Sequence, residues 1–167
     1  MSSYNPLDVL KEAILLERRG RAFYEQVALQ AHNPAVRGFF QNMADEEHRH
    51  MQILEGHFKA YSRDQAFAGF DADSAEKAPA ADAVLTDTLK AEIAAAGFEA
   101  AAISAAMLLE EQAVNLYADR SMQAKDPNEK ALYRWLTDWE HGHLTYLAAL
   151  DREIKKQIWH DRQFWPF

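Results

Sequence analysis

The chain has 167 residues, 49% hydrophobic and 26% charged, with a formal net charge of −8. That length allows one domain with a sizeable core, and the negative charge argues against nucleic acid as a partner. The sequence contains no Cys, which excludes disulfides and thiolate-held metal or iron centres on this chain.

The N-terminal stretch MSSYNPLDVLKEA has no basic region followed by an apolar run, so no signal peptide is expected. Only six Gly and five Pro are present, strand-type alternation is absent, and apolar residues recur at helical spacing. A first helix is expected over about 6–30. Asn33-Pro34, a capping residue followed by Pro at the first helical position, ends it and opens a second helix that runs to about Tyr61. Residues 62–82 read as a polar connection pinned by Phe67 and Phe70. A third helix is expected over about 83–123. Its most apolar part, AAAISAAMLL at 100–109, is too short to span a bilayer and runs into Glu110 and Glu111. No membrane partner and a cytoplasmic location are therefore expected. Asp126-Pro127 opens a fourth helix that runs to about His160. The aromatic segment 158–167 (IWHDRQFWPF) then suggests docking across a homodimer.

The tight turns at 31–34 and 124–127 make two antiparallel hairpins, about 6–61 and 83–160. About 20 extended residues reach roughly 65 Å, enough to run the length of a bundle. The expected fold is all-α: one ferritin-like four-helix bundle over 1–167, made of two hairpins joined by one long crossover.

The two hairpins are copies of each other. A shift of 93 residues places Leu15, Leu16 and Glu17 on Leu108, Leu109 and Glu110, and Tyr24 on Tyr117. It places Asn33-Pro34 on Asp126-Pro127 and DEEHRHMQIL (45–54) on DWEHGHLTYL (138–147). Read by helical register, Glu47 and His50 share an inward face with Phe40, Met43 and Leu54. Glu140 and His143 share one with Tyr133, Leu136 and Leu147. Glu17 and Glu110 take the matching positions on the first and third helices.

Four carboxylates in one buried layer cost several kcal/mol each if left alone. Two divalent cations would balance four Glu, with two neutral imidazoles completing the donors. Such a mixed set suits iron or manganese and admits zinc. Tyr24 and Tyr117, each seven residues after such a Glu, are expected to hydrogen-bond the carboxylates from behind. His48 and His141 follow Glu47 and Glu140 by one residue and point about 100° away. His57 reads as a core histidine with its hydrogen bonds satisfied.

One Glu from each of two helices, plus Glu-x-x-His from each of the other two, resembles the ferritin-like di-iron carboxylate proteins. Glu17 with Phe23-Tyr24, Glu110 with Leu116-Tyr117, and EEHRH (46–50) are similar to the rubrerythrin branch, across about 7–154. The resemblance implies Glu17, Glu47, His50, Glu110, Glu140 and His143 as metal ligands and catalytic residues around two iron ions. It leaves open whether Glu47 and Glu140, or Glu17 and Glu110, bridge the metals. It implies an oxidoreductase reducing peroxide or dioxygen, with ferroxidase-type iron handling or a structural-metal scaffold as alternatives. Rubrerythrins usually carry a Cys-ligated rubredoxin domain, so here an external electron-donor protein is implied. The extra Glu one turn beyond Glu110 is replaced by Ala113. Trp139 and Gly142 stand where the first copy has Glu46 and Arg49, so the two halves support their histidines differently.

Overall fold

Three of the four hairpin-forming helices start where a polar cap meets a proline. In the computed structural model, which describes residues 5–95 and 97–162, α1 spans Pro6–Gln30 and α2 spans Pro34–Asp64. The Asn5 side chain accepts from Leu7 N at 3.1 Å, and Asn33 accepts from Ala35 N and Val36 N at 2.8 and 3.2 Å. Gln65 closes α2 in the left-handed region at φ 54°, its N–H donating to Tyr61 O. Next come α3 (Ala81–Val84), α4 (Asp87–Ala95), α5 (Gly97–Gln123) and α6 (Pro127–Arg162). Asp126 caps α6 through Asn128 N at 2.7 Å and Glu129 N at 3.3 Å. No strand occurs among the described residues.

The architecture is the expected all-α, ferritin-like bundle. Hairpins α1/α2 and α5/α6 pack together, and α1 also meets α5. One helix differs from expectation. The stretch 83–123 is not one rod but α3, α4 and α5, and residues 100–123 of α5 meet α4 at 111°. Thr86 starts α4 afresh, its Oγ1 accepting from Leu89 N at 3.1 Å and its carbonyl from Lys90 N at 3.0 Å. The turn lets Leu89 and Ile93 bury against Leu147, Leu150 and Ile154 at one end of the bundle. Burying two such side chains, worth roughly 1.5–3 kcal/mol each, outweighs continuing a straight helix. Among the described residues no single helix is long and apolar enough to cross a membrane. Ile158 and Trp159 are exposed on α6, and residues 163–167 of the expected aromatic tail lie outside the described residues.

The crossover climbs along α6. Phe67 packs on His57, Tyr61 and Tyr133, and Phe70 on Trp135 and His57. Higher up, Trp135 Nε1 donates to Glu76 O at 2.6 Å, and the Tyr146 hydroxyl donates to Pro79 O. The core falls into two apolar clusters. One surrounds Tyr24, Phe40, Ile103 and Leu147; the other surrounds Leu10, Leu54, Tyr117, Tyr133 and Leu136. The inward glutamates lie in the layer between them.

Glu129, in the first turn of α6, is 3% exposed, and its Oε1 has no hydrogen-bond partner. Burial lifts its carboxyl from the usual 4.5 to about 7. Between those values the folded chain holds a proton that the unfolded chain has lost. This contribution to stability is therefore complete below about pH 4.5 and fades as the pH rises through 7. Glu129→Gln should leave Tm nearly unchanged at pH 4.5. At pH 8 it should raise stability by roughly 1 kcal/mol, about 2–4 °C. Thermal melts of both proteins at the two pH values check this.

Candidate metal centre

All six expected residues meet in one layer. Glu17 (α1), Glu47 and His50 (α2), Glu110 (α5), and Glu140 and His143 (α6) are each at most 4% exposed. Their donor atoms form two groups, Glu17–Glu47–His50–Glu140 and Glu47–Glu110–Glu140–His143. Within each group one donor atom from every residue lies within 4.8 Å of all the others. Glu47 and Glu140 belong to both, while Glu17 and Glu110 belong to one each. The choice that the sequence left open thus falls on the α2/α6 pair as the shared carboxylates.

The repeat appears as a near two-fold arrangement. The Tyr117 hydroxyl donates to Glu17 Oε1, and the Tyr24 hydroxyl donates to Glu110 Oε1. Each tyrosine therefore reaches across to the other hairpin. Burial, and then the nearby carboxylates, push both phenols well above their usual range, so both stay protonated as donors. His50 Nδ1 lies 2.7 Å from Glu140 Oε1 and 3.3 Å from Glu17 Oε2. His143 Nδ1 lies 3.1–3.4 Å from Glu47, Glu140 and Glu110.

Charge in this layer is shared between protons and carboxylates. Burial lifts the Glu110 carboxyl to about 7, against the pull of His143. Burial, with Glu140 and Glu17 adding repulsion, holds Glu47 well above the usual carboxylate range. Burial opposes a charged His50, but Glu140 and Glu17 outweigh it and lift the imidazole to about 9. His143 is raised in the same way, mainly by Glu110. Glu140, between both imidazoles, is held below its usual range although burial opposes this.

The chemistry of the donor set can be tested on its buried atoms. Glu17 Oε2, Glu47 Oε1, both Glu140 oxygens and the Nδ1 atoms of His50 and His143 are buried and crowd one another at ion-pair distance, but none makes a well-directed hydrogen bond. Buried polar atoms are nearly always paired. These face one another, and cations would satisfy them all at once. The residues fit a dinuclear metal site.

The family model described as Rubrerythrin matches residues 8–151. The chain belongs to the rubrerythrin family. No curated protein matches the sequence significantly. A solved structure of a hypothetical protein from Pyrococcus furiosus is similar over 94% of each chain, with a TM-score of 0.67 and 21% identity. That likeness supports the fold. Rubrerythrin-family proteins typically bind two metals, in keeping with the two overlapping groups found here.

Three residues around the centre were not assigned a contact by sequence reading. Glu46 Oε2 lies 2.5 Å from His143 Nε2 and accepts from Trp139 Nε1 at 3.2 Å. Trp135 and Trp139 stand edge-on to His50, with ring centroids 5.5 and 5.2 Å away. The 93-residue shift held a signal, because it sets Trp139 opposite Glu46. His48 is half-buried beside Arg21 at 2.8 Å and His141 is exposed, both outside the cluster as expected. His57 is a core residue, but its Nδ1 has no hydrogen-bond partner and burial lowers its pKa.

A cavity of about 10 Å³, close to the size of one water, touches the carboxylates. Leu16, Gly20, Leu109 and Ala113 line it with Glu17, Glu47 and Glu110. A Cβ on Gly20 would stand 3.3 Å from Glu47 Cδ and Oε2, so Glu47 would have to yield by a few tenths of an ångström. Gly20→Ala should therefore weaken metal binding through Glu47. The better helix propensity, worth up to about 1 kcal/mol, should keep the metal-free Tm level or higher. Metal titration and a melt of the metal-free variant test the two halves of this expectation.

Proposed function

We propose that this chain is a di-iron oxidoreductase of the rubrerythrin type that reduces peroxide or dioxygen. The observation that carries the reading is the pair of four-residue groups sharing Glu47 and Glu140. In this reading one ion would be held by Glu17 and His50, the other by Glu110 and His143, and both would draw on Glu47 and Glu140. Carboxylates with one imidazole per ion suit iron, with manganese and zinc as competitors.

Reduction of one hydrogen peroxide to two waters consumes two electrons and two protons. Two ferrous ions, when bound, would supply the electrons and an open position for the oxidant. The chain's own residues do the rest. Tyr117 and Tyr24 hold Glu17 and Glu110 in place by hydrogen bonds. The apolar clusters on either side keep bulk water out, and the small cavity beside Gly20 opens onto Glu17, Glu47 and Glu110. An external electron-donor protein and a homodimeric assembly belong to the same proposal.

Metal content of protein purified from cells is the first test, with two irons per chain expected. Protein loaded with Fe(II) without air should then develop near-UV absorption when peroxide is added, and silence would overturn the reading. Glu47→Ala should lose both the bound metal and that absorption.

Metal binding should also expel protons, because the Glu47 and Glu110 carboxyls are held up and both imidazoles are held toward their charged form, and each gives up its proton to ligate. Affinity should therefore fall as the pH drops below about 9, where His50 takes up its proton, and further below about 7, where Glu110 does. A weakly buffered metal titration followed by pH measures the release.

A further inference from the structure

The two candidate metal positions have the same nearest donors: one His, one Glu held by a Tyr from the other hairpin, and the shared Glu47 and Glu140. They differ behind the histidines. His143 Nε2 meets Glu46 Oε2 at 2.5 Å. That carboxylate is held in turn by Trp139 Nε1 at 3.2 Å and lies 3.8 Å from Arg49, which also pairs with Glu76 on the crossover at 2.8 Å. His50 has no such partner. Its Nε2 is buried without any hydrogen-bond acceptor, and its ring meets the edges of Trp135 and Trp139 instead.

The difference is built into the fold. The shift that overlays the hairpins puts Trp139 on Glu46 and Gly142 on Arg49. A Cβ on Gly142 would stand 3.0 Å from Ala78 Cβ on the crossover, so a side chain there would need the crossover to yield by a few tenths of an ångström. α6 binds the crossover backbone directly, through the hydrogen bonds from Trp135 and Tyr146 to Glu76 and Pro79, whereas α2 reaches this part of it through the Arg49–Glu76 pair. One half of the repeat keeps the Glu and Arg support, and the other loses it to the crossover.

A carboxylate behind a ligating His fixes the tautomer that leaves the other nitrogen free, and it raises that nitrogen's basicity. Removing such a partner typically costs ten- to a hundredfold in metal affinity. For His50, the tautomer that frees Nδ1 leaves an Nε2–H buried and unsatisfied.

We propose that the two metal positions are unequal: the one at His143 fills first and holds its ion more tightly, and the one at His50 is the exchangeable position. Glu46 is the positioning residue that sets the difference. This rests on the two-metal reading above and goes beyond it by assigning the order.

The test is Co(II) binding to the whole chain, followed by visible absorption and calorimetry. Two steps in the parent protein would not decide the matter, because shared carboxylates weaken the second ion in any symmetric centre. The comparison of single positions does. His50→Ala leaves only the His143 position and should bind one Co(II) about ten- to a hundredfold more tightly than His143→Ala. Adding Glu46→Gln to His50→Ala should remove most of that advantage, while adding it to His143→Ala should change little. Should His143→Ala fail to fold, Glu46→Gln alone must weaken the first step of the parent protein. Equal affinities in the two single-position variants, or a first step indifferent to Glu46→Gln, overturn the assignment while leaving the two-metal reading intact. A parent protein that binds no Co(II), or one ion per chain, overturns both.

Discussion

Everything in this bundle is arranged around four carboxylates placed where a core should be apolar. Glu17, Glu47, Glu110 and Glu140 lie between two apolar clusters, out of reach of bulk water. Such a layer survives only if its charge is shared. Two histidines beside Glu140, two tyrosines aimed at Glu17 and Glu110, and protons on Glu47 and Glu110 share it in the metal-free chain. The Nδ1 and carboxylate atoms that face one another there without well-directed hydrogen bonds are donors suited to cations. The capped turns at Asn33-Pro34 and Asp126-Pro127 hold the four helices in the one register that brings these groups level.

Much of this can be read from the sequence, because the duplication repeats every constraint. A cap, a Tyr and a Glu-x-x-His motif recurring at the same shift carry more information than any one of them alone. The helix starts at Pro6, Pro34 and Pro127 follow from local chemistry, and the structure places them within a residue of expectation. What local chemistry could not show is the break in the third rod. The stretch from Ala81 to Ala95 is rich in helix formers, so nothing in its composition forbids a continuous helix. Thr86 can cap or be passed over, and only the exposed end of the bundle makes turning α4 across it favourable. The sharing of Glu47 and Glu140 was equally out of reach, since it depends on which side chains converge in space.

The departure from symmetry has the same origin. Two copies of a hairpin can be related by a two-fold axis, but a single covalent connection between them cannot obey it. The connection must lie along one copy, and here it lies along α6. Gly142 makes room for it, Trp135 and Tyr146 bind its backbone, and Arg49 reaches it from the other side through Glu76. The mismatch between EEHRH and WEHGH is thus the imprint of the crossover on one of two otherwise matching motifs.

The exchange of tyrosines between the hairpins bears on how the chain reaches its folded state. Helix hairpins with tight turns form from contacts close in sequence, on fast timescales. Neither hairpin alone can satisfy its own glutamate, because Tyr24 serves Glu110 and Tyr117 serves Glu17 across a sequence separation of 86 and 100 residues. The carboxylates therefore stay hydrated until the hairpins dock. Docking is the step at which their desolvation must be met, by the tyrosine that each hairpin brings to the other.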